Sequence, residues 1–316
     1  MRTWLTEQFG LGVPVIGAPM AGPGEGALSA AVSAAGGLGM VGVNANRSAE
    51  WITEQVEVAG AGGHRFGIGL MAWALESNPD QLDATLASGA SLVSVSFGDV
   101  EPHVRTIKQA GIAVTTQAGN LAEALAADRY GVDFLVVRGA EGGGHGRNEV
   151  GTLPLLQTVL DKVSVPVVAA GGIANARGLA AVLAAGAAGA WVGTAFLGCR
   201  EAGNSASARQ RLFDATDAGT SYGSVFDVAQ DLGWPAEYGG RALRNQYFDT
   251  WHDHLDELTQ NETAAGELAQ ARKREDYDTA YLYAGQGVGL LESERSVADV
   301  IAEFAGAQEL LRRFEG

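Results

Sequence analysis

His145 is the residue whose surroundings point most directly to chemistry. It follows Gly142, Gly143 and Gly144 and precedes Gly146 and Arg147. An imidazole has an ordinary pKa of about 6.5, so near neutral pH it can take a proton from carbon or oxygen. A loop position leaves its ring uncommitted to an apolar helix face; the plainer alternative is a solvated loop histidine. Two further glycine sites stand out, Gly171–Gly172 and Gly193–Thr194, each just after a short apolar run and ahead of an expected helix start. Glycines ahead of a helix let backbone N–H groups surround a phosphate, and the Thr194 hydroxyl could join them. A single such pair reads as a turn, but two in successive units favour phosphate. The other candidates read as structural. His64 and His103 adjoin element starts and are expected in solvent, while His252 and His254 in His252-Asp253-His254 point to different helix faces, so no metal site is expected. Cys199, the one cysteine, is expected to be a buried thiol. Arg272-Lys273-Arg274-Glu275-Asp276 reads as a solvated helix face. There is no Walker loop and no well-placed G-x-G-x-x-G, which argues against a nucleoside triphosphate or a Rossmann NAD site.

Eight short apolar runs can position these residues: Val13–Ile16, Leu38–Val43, Phe66–Leu70, Leu92–Ser96, Ala113–Thr116, Phe134–Val137, Val167–Ala170 and Ala190–Val192. Their starts lie 21 to 33 residues apart, room for one βα unit each. The intervening helices are expected over Glu25–Ala35, Ser48–Val58, Pro79–Ser88, Asn120–Ala127 and Asn175–Ala185, with Gly36, Gly89, Gly111 and Gly186 as C-terminal stops. Runs without polar alternation suit a parallel sheet covered on its outer face. Eight units predict a (β/α)₈ TIM barrel, with an open doubly wound sheet as the alternative. After Glu201 the composition turns to Asp, Arg, Tyr, Trp and His at helical spacing with no clear strand. Residues 203–281 are therefore expected to form a helical substrate or cap domain, inserted into a barrel made of 1–202 and 282–316. A final amphipathic helix is expected over Val297–Phe314.

Barrel function lies at the C-terminal ends of strands. That rule gathers Ala18 and Met20 after the first run, Gln117 after the fifth, and Arg138 through Arg147 after the sixth, together with the two glycine sites. Gly285-Gln286-Gly287, behind Tyr281 and Tyr283, reads either as backbone close to a ligand or as a flexible loop. Tyr222, Trp234, Tyr238, Tyr247 and Trp251 could wall off an apolar pocket or only pack the cap. The net charge of −16 makes nucleic acid and anionic membrane poor partners. Met1-Arg2-Thr3-Trp4 opens no signal peptide, so a cytoplasmic protein is expected.

In this order and spacing the motifs resemble the nitronate monooxygenase family, formerly the 2-nitropropane dioxygenases. The carriers are Gly17-Ala18-Pro19-Met20-Ala21, Ala35-Gly36-Gly37-Leu38-Gly39, Glu141-Gly142-Gly143-Gly144-His145, Ala169-Ala170-Gly171-Gly172-Ile173 and Gly193-Thr194-Ala195-Phe196-Leu197. Gly240-Arg241-Ala242-Leu243-Arg244-Asn245 and Gly285-Gln286-Gly287 extend the match over most of the chain. The resemblance implies an FMN-dependent (β/α)₈ enzyme that oxidises alkyl nitronates, with nitroalkanes as a second substrate class, using dioxygen to give carbonyl compounds and oxidised nitrogen. It places flavin contacts on Ala18, Met20, Gln117, Gly143, Gly171, Gly172, Gly193, Thr194 and Gln286, and the general base on His145. Its partners would be a small-molecule substrate and O2, in a possible homodimer.

Two positions depart from the family pattern. Gly69 stands where an Asn is common, and Arg138 where a Gln is common. Arg138 is expected among the cofactor contacts as a fixed cation that could stabilise an anionic reduced flavin or bind an anionic substrate. The alternatives are an FMN-dependent enoyl-ACP reductase driven by NAD(P)H and a non-catalytic flavin carrier. A hydroxy-acid oxidase fits less well, because its Arg/His/Tyr set cannot be placed.

Overall fold

Parallel strands carry the fold in the structure, a computed structural model that describes residues 1–313. In chain order they are β1 (Val15–Gly17), β2 (Gly39–Gly42), β3 (Phe66–Met71), β4 (Leu92–Ser96), β5 (Ala113–Ala118) and β6 (Phe134–Arg138). A two-residue strand β7 (Gly144–His145) stands apart, and β8 (Val167–Ala170) and β9 (Gly189–Val192) complete the set. The eight-stranded sheet runs β1-β9-β8-β6-β5-β4-β3-β2. Its two ends meet at the Ile16–Leu38 bridge, where Gly17 N–H donates to Leu38 O at 2.9 Å and Leu38 N–H to Val15 O at 3.0 Å. The sheet is therefore a closed (β/α)₈ barrel, and the open-sheet alternative falls. Every expected barrel strand forms.

Side chains alternate along each strand between two apolar layers. Ile16, Met40, Leu92, Phe134, Val136, Val168 and Trp191 fill the interior. Val15, Val41, Ile68, Val93, Val95, Val114, Leu135 and Val137 meet the helices, whose Leu28, Val32, Ile52, Ile107, Leu155 and Leu179 cover them. Ser48, Asn120 and Asn175 accept from backbone N–H groups at helix starts. The four expected glycine stops all have positive φ, from 76° to 107°. The chain's polar opening is more than the sequence suggested: Trp4–Phe9 is a helix closed by a Thr3–Thr6 capping box. Its Leu5 and Phe9 plug the lower end of the barrel against Phe134 and Ile16. Burial of two such side chains contributes about 1.5–3 kcal/mol each.

The region after Glu201 differs from the all-helical expectation. Helices Ala206–Phe213, Val225–Gln230, Gln246–Trp251, Leu255–Thr259 and Glu262–Arg274 are joined by strands β10 (Thr220–Gly223) and β11 (Gly240–Leu243). These pair antiparallel, and β11 also pairs with β7, Gly240 opposite His145 and Arg241 opposite Gly144. Such short strands, rich in Gly and Ser, exist through their partners and carry no periodic signal of their own. Val225, Phe226, Tyr247, Phe248, Leu258 and Leu268 form the core beneath them. The final helix is two, Val297–Ala305 and Ala307–Arg312, meeting at Gly306; Phe314 lies outside the described residues. We propose residues 203–281 as the cap and 1–202, with the chain from 282 onward, as the barrel.

Candidate active site

A cavity of about 450 Å³ opens at the C-terminal ends of the barrel strands. Ala18, Met20, Gln117, Arg138, Gly143, His145, Gly171, Gly172, Gly193 and Thr194 all line it. Gln286 does not. Its side chain is exposed and its N–H donates to Glu141 O at 2.9 Å, leaving Gly287 in the wall. Trp234 is the one aromatic of the expected five that faces the cavity, and Tyr277, Tyr281 and Tyr283 join it. Tyr222 instead donates to Gly146 O at 2.9 Å, Tyr238 to Glu123 at 3.0 Å, and Tyr247 and Trp251 pack within the cap.

The floor of one end is backbone. Gly171 and Gly172 have φ of +107° and +70°, a conformation that side chains other than hydrogen resist. A Cβ at Gly171 would also stand 2.6 Å from Thr152 Oγ1. The N–H groups of Gly172, Ile173, Gly193 and Thr194 donate to no backbone carbonyl among the described residues, and all four residues line the cavity. Thr194 Oγ1 accepts from Gly285 N–H at 2.9 Å and keeps its own proton to donate. N–H groups without a backbone acceptor, on residues that line one cavity, suit an anionic phosphate.

Across the cavity wall, His145 is held by the cap. Its Nε2 lies 2.8 Å from Asp227 Oδ1, a carboxylate on the helix Val225–Gln230. Tyr283 donates to the same oxygen at 3.3 Å, and burial with the adjacent Asp227 charge holds its phenol well above the ordinary range. The Trp234 ring stacks on His145 at 3.7 Å with an interplanar angle of 1°. Asp227 did not emerge from the sequence. The available signal is a lone acid flanked by Val225, Phe226 and Val228, since a carboxylate on an apolar face needs a partner.

Arg138 is 4% exposed and turns into the loop that carries His145. Its Nη2 donates to the carbonyls of Gly142, Gly143 and Gly144 at 2.6, 3.2 and 2.9 Å, and its Nη1 to Arg147 O at 3.2 Å. Burial brings its pKa down to about 10, so it remains a cation at neutral pH. These donors are committed to shaping the loop, a role the sequence did not suggest. Gly69 also has a reason: a Cβ there would lie 2.4 Å from Cβ and Cγ of Pro19, so no asparagine fits. Cys199 is buried and its thiol is pushed up to about 12 by burial. His252 and His254 lie on the exposed cap surface, beside Asp253 and Glu257.

A closed (β/α)₈ barrel with glycine-lined strand ends and a carboxylate-held histidine around one cavity has the layout of a barrel enzyme site. The description "Nitronate monooxygenase" belongs to the family whose profile matches residues 69–306. The nitronate monooxygenase npaC of Metarhizium robertsii is 32% identical over 92% of this chain and 89% of its own. Three other curated relatives are matched over 55% to 65% of their own length. Among solved structures, FabK from Thermotoga maritima superposes with a TM-score of 0.86 at 26% identity, over 100% of this chain and 99% of that one. The nitroalkane oxidase of Streptomyces ansochromogenes gives 0.81 at 28% identity, over 97% and 99%. The chain belongs to the nitronate monooxygenase family, a family of oxidoreductases. Among the described residues no helix is long and apolar enough to cross a membrane.

Proposed function

We propose that this protein is an FMN-dependent oxidoreductase that oxidises alkyl nitronates, and nitroalkanes, with dioxygen to carbonyl compounds and oxidised nitrogen. The observation that carries the reading is one cavity holding both the unclaimed N–H groups of Gly172, Ile173, Gly193 and Thr194 and the imidazole of His145. Those N–H groups would hold the FMN phosphate, with Ala18, Met20, Gln117 and Gly143 along the remaining wall. When bound, FMN supplies an acceptor for substrate electrons and a route to dioxygen. A nitronate is already deprotonated, so for it His145 orients the nitro group by hydrogen bonding. A neutral nitroalkane needs His145 as a base. Trp234, Tyr281 and Tyr283 exclude water around the substrate. We further propose a homodimer, which light scattering would read.

The test is the anaerobic visible spectrum of the FMN-reconstituted protein before and after an alkyl nitronate is added. Bleaching that air reverses supports the reading; an unchanged spectrum refutes it. The alternative reading, an enoyl-ACP reductase, makes NADPH and NADH the next reductants to try. Rapid bleaching by either, with none by nitronate, would favour an NAD(P)H-driven enoyl-thioester reductase instead.

A further inference from the structure

Which nitrogen of His145 can act as a base is decided by a residue of the cap. Asp227 is 5% exposed and its Oδ1 meets His145 Nε2 at 2.8 Å. A carboxylate only accepts, so Nε2 carries a hydrogen, and in the neutral ring the lone pair is on Nδ1. Three further contacts fix this arrangement. The Tyr283 hydroxyl donates to the same Asp227 oxygen and orients the carboxylate. The Trp234 ring covers one face of the imidazole, so the ring cannot turn over without unstacking. The pairing of β7 with β11 holds the histidine backbone against the cap that supplies Asp227.

We infer that Asp227 is a positioning residue: it holds His145 as the Nε2–H tautomer and leaves Nδ1 as the base toward a neutral nitroalkane. The inference rests on the oxidation proposed above. In this step the substrate Cα–H bond breaks, its electron pair stays on the organic fragment as the nitronate, and the proton bonds to Nδ1. The imidazolium so formed is stabilised by the adjacent Asp227 charge. A preformed nitronate skips the step, so Asp227 must matter more for the neutral substrate than for the ionised one.

The experiment compares wild type, Asp227→Asn and Tyr283→Phe, all loaded with FMN, on nitroethane and on preformed ethylnitronate. An asparagine can present either a donor or an acceptor to Nε2 and no longer enforces one tautomer. The expected result for Asp227→Asn is a fall of about 100-fold in kcat on nitroethane with little change in KM. The loss on ethylnitronate should be at least about 10-fold smaller. Tyr283→Phe should shift the same ratio in the same direction, but less. The 15N NMR signals of His145 supply a readout independent of turnover: Nε2–H with bare Nδ1 in the wild type, and a tautomer mixture in Asp227→Asn. Equal losses on both substrates, or an Nδ1–H tautomer in the wild type, would overturn the inference. If the wild type oxidises neither substrate, the proposed oxidation fails, and the NMR result alone decides whether Asp227 sets the tautomer.

Discussion

Replacing Arg138 with methionine separates stability from function, because two opposing effects nearly cancel in one and not in the other. Methionine approximates the stem and deletes every donor, so the carbonyls of Gly142, Gly143, Gly144 and Arg147 lose their partner. Nη2 shares its two hydrogens among three of these carbonyls, so three N–H groups serve all four; at a net value of about 1 kcal/mol each the loss is about 3 kcal/mol. Against it stands the cost of the buried cation. A fall in pKa from 12.5 to about 10 corresponds to roughly 3 kcal/mol that the substitution releases. The two cancel to within about 1 kcal/mol, which for a chain of this size shifts Tm by no more than about 4 °C. Turnover has no such compensation. The loop that carries His145 loses the fork that gathers its carbonyls, and a misplacement of about 1 Å at a reacting group can cost about 100-fold. Thermal unfolding by circular dichroism, with steady-state nitroethane oxidation, measures both quantities. Arg138→Lys sharpens the test, since one ammonium cannot reproduce the planar fork and should rescue little of the rate. The reasoning fails if Arg138→Met lowers Tm by more than about 10 °C. It fails equally if the variant turns over at the wild-type rate.

Other perturbations address the walls of the same cavity. Gly69→Asn should destabilise by about 1–3 kcal/mol through its collision with Pro19, read as a lower urea midpoint. Adding Pro19→Gly, which removes both contacting carbons, should make the further loss caused by Gly69→Asn much smaller than it is beside Pro19. Gly171→Ala forces an unfavourable φ and a clash with Thr152, so calorimetric titration of the apoprotein should show FMN affinity reduced at least about 10-fold. Riboflavin, which lacks the phosphate, should lose much less. Cys199, whose thiol is protonated up to about pH 12, should resist iodoacetamide at pH 8 in the native state, while the urea-unfolded chain is alkylated. Mass spectrometry distinguishes the two.

The barrel was legible because its physics is local and repeated. Phe134–Val137 and Val167–Ala170 are buried on both faces and therefore read as unbroken apolar runs, and Gly36, Gly89, Gly111 and Gly186 mark helix ends because the chain reverses there at positive φ. Residues at strand ends that line the cavity, such as Gly171 and Thr194, could be placed there once the strands were placed. What escaped depends on partners distant in the chain. Thr220–Gly223 has no apolar alternation and is a strand only because Gly240–Leu243 lies beside it. The Trp4–Phe9 helix gains its purpose only from the open lower end of the barrel. At Gln286 the glycine signature pointed to the right loop, but the hydrogen bond to Glu141 turns Gly287 to the cavity instead.

His145 shows why the histidine loop alone did not disclose its partner. One side of the loop is set by the barrel, where Arg138 gathers three successive carbonyls. The other side is set by the cap, through the β7–β11 pairing, the Tyr222 hydroxyl on Gly146, the Trp234 stack and the Asp227 carboxylate. Asp227 is 82 residues away from His145 in the chain, so no local pattern could join them. The consequence is that the position of His145 is specified jointly. Changes within the cap that leave every cavity glycine intact will still alter the hydrogen bonding and exposure of His145. On the oxidation proposed above, such changes would shift the balance between neutral and ionised substrates, and side chains of the cap rather than the cavity glycines are where that balance is open to change.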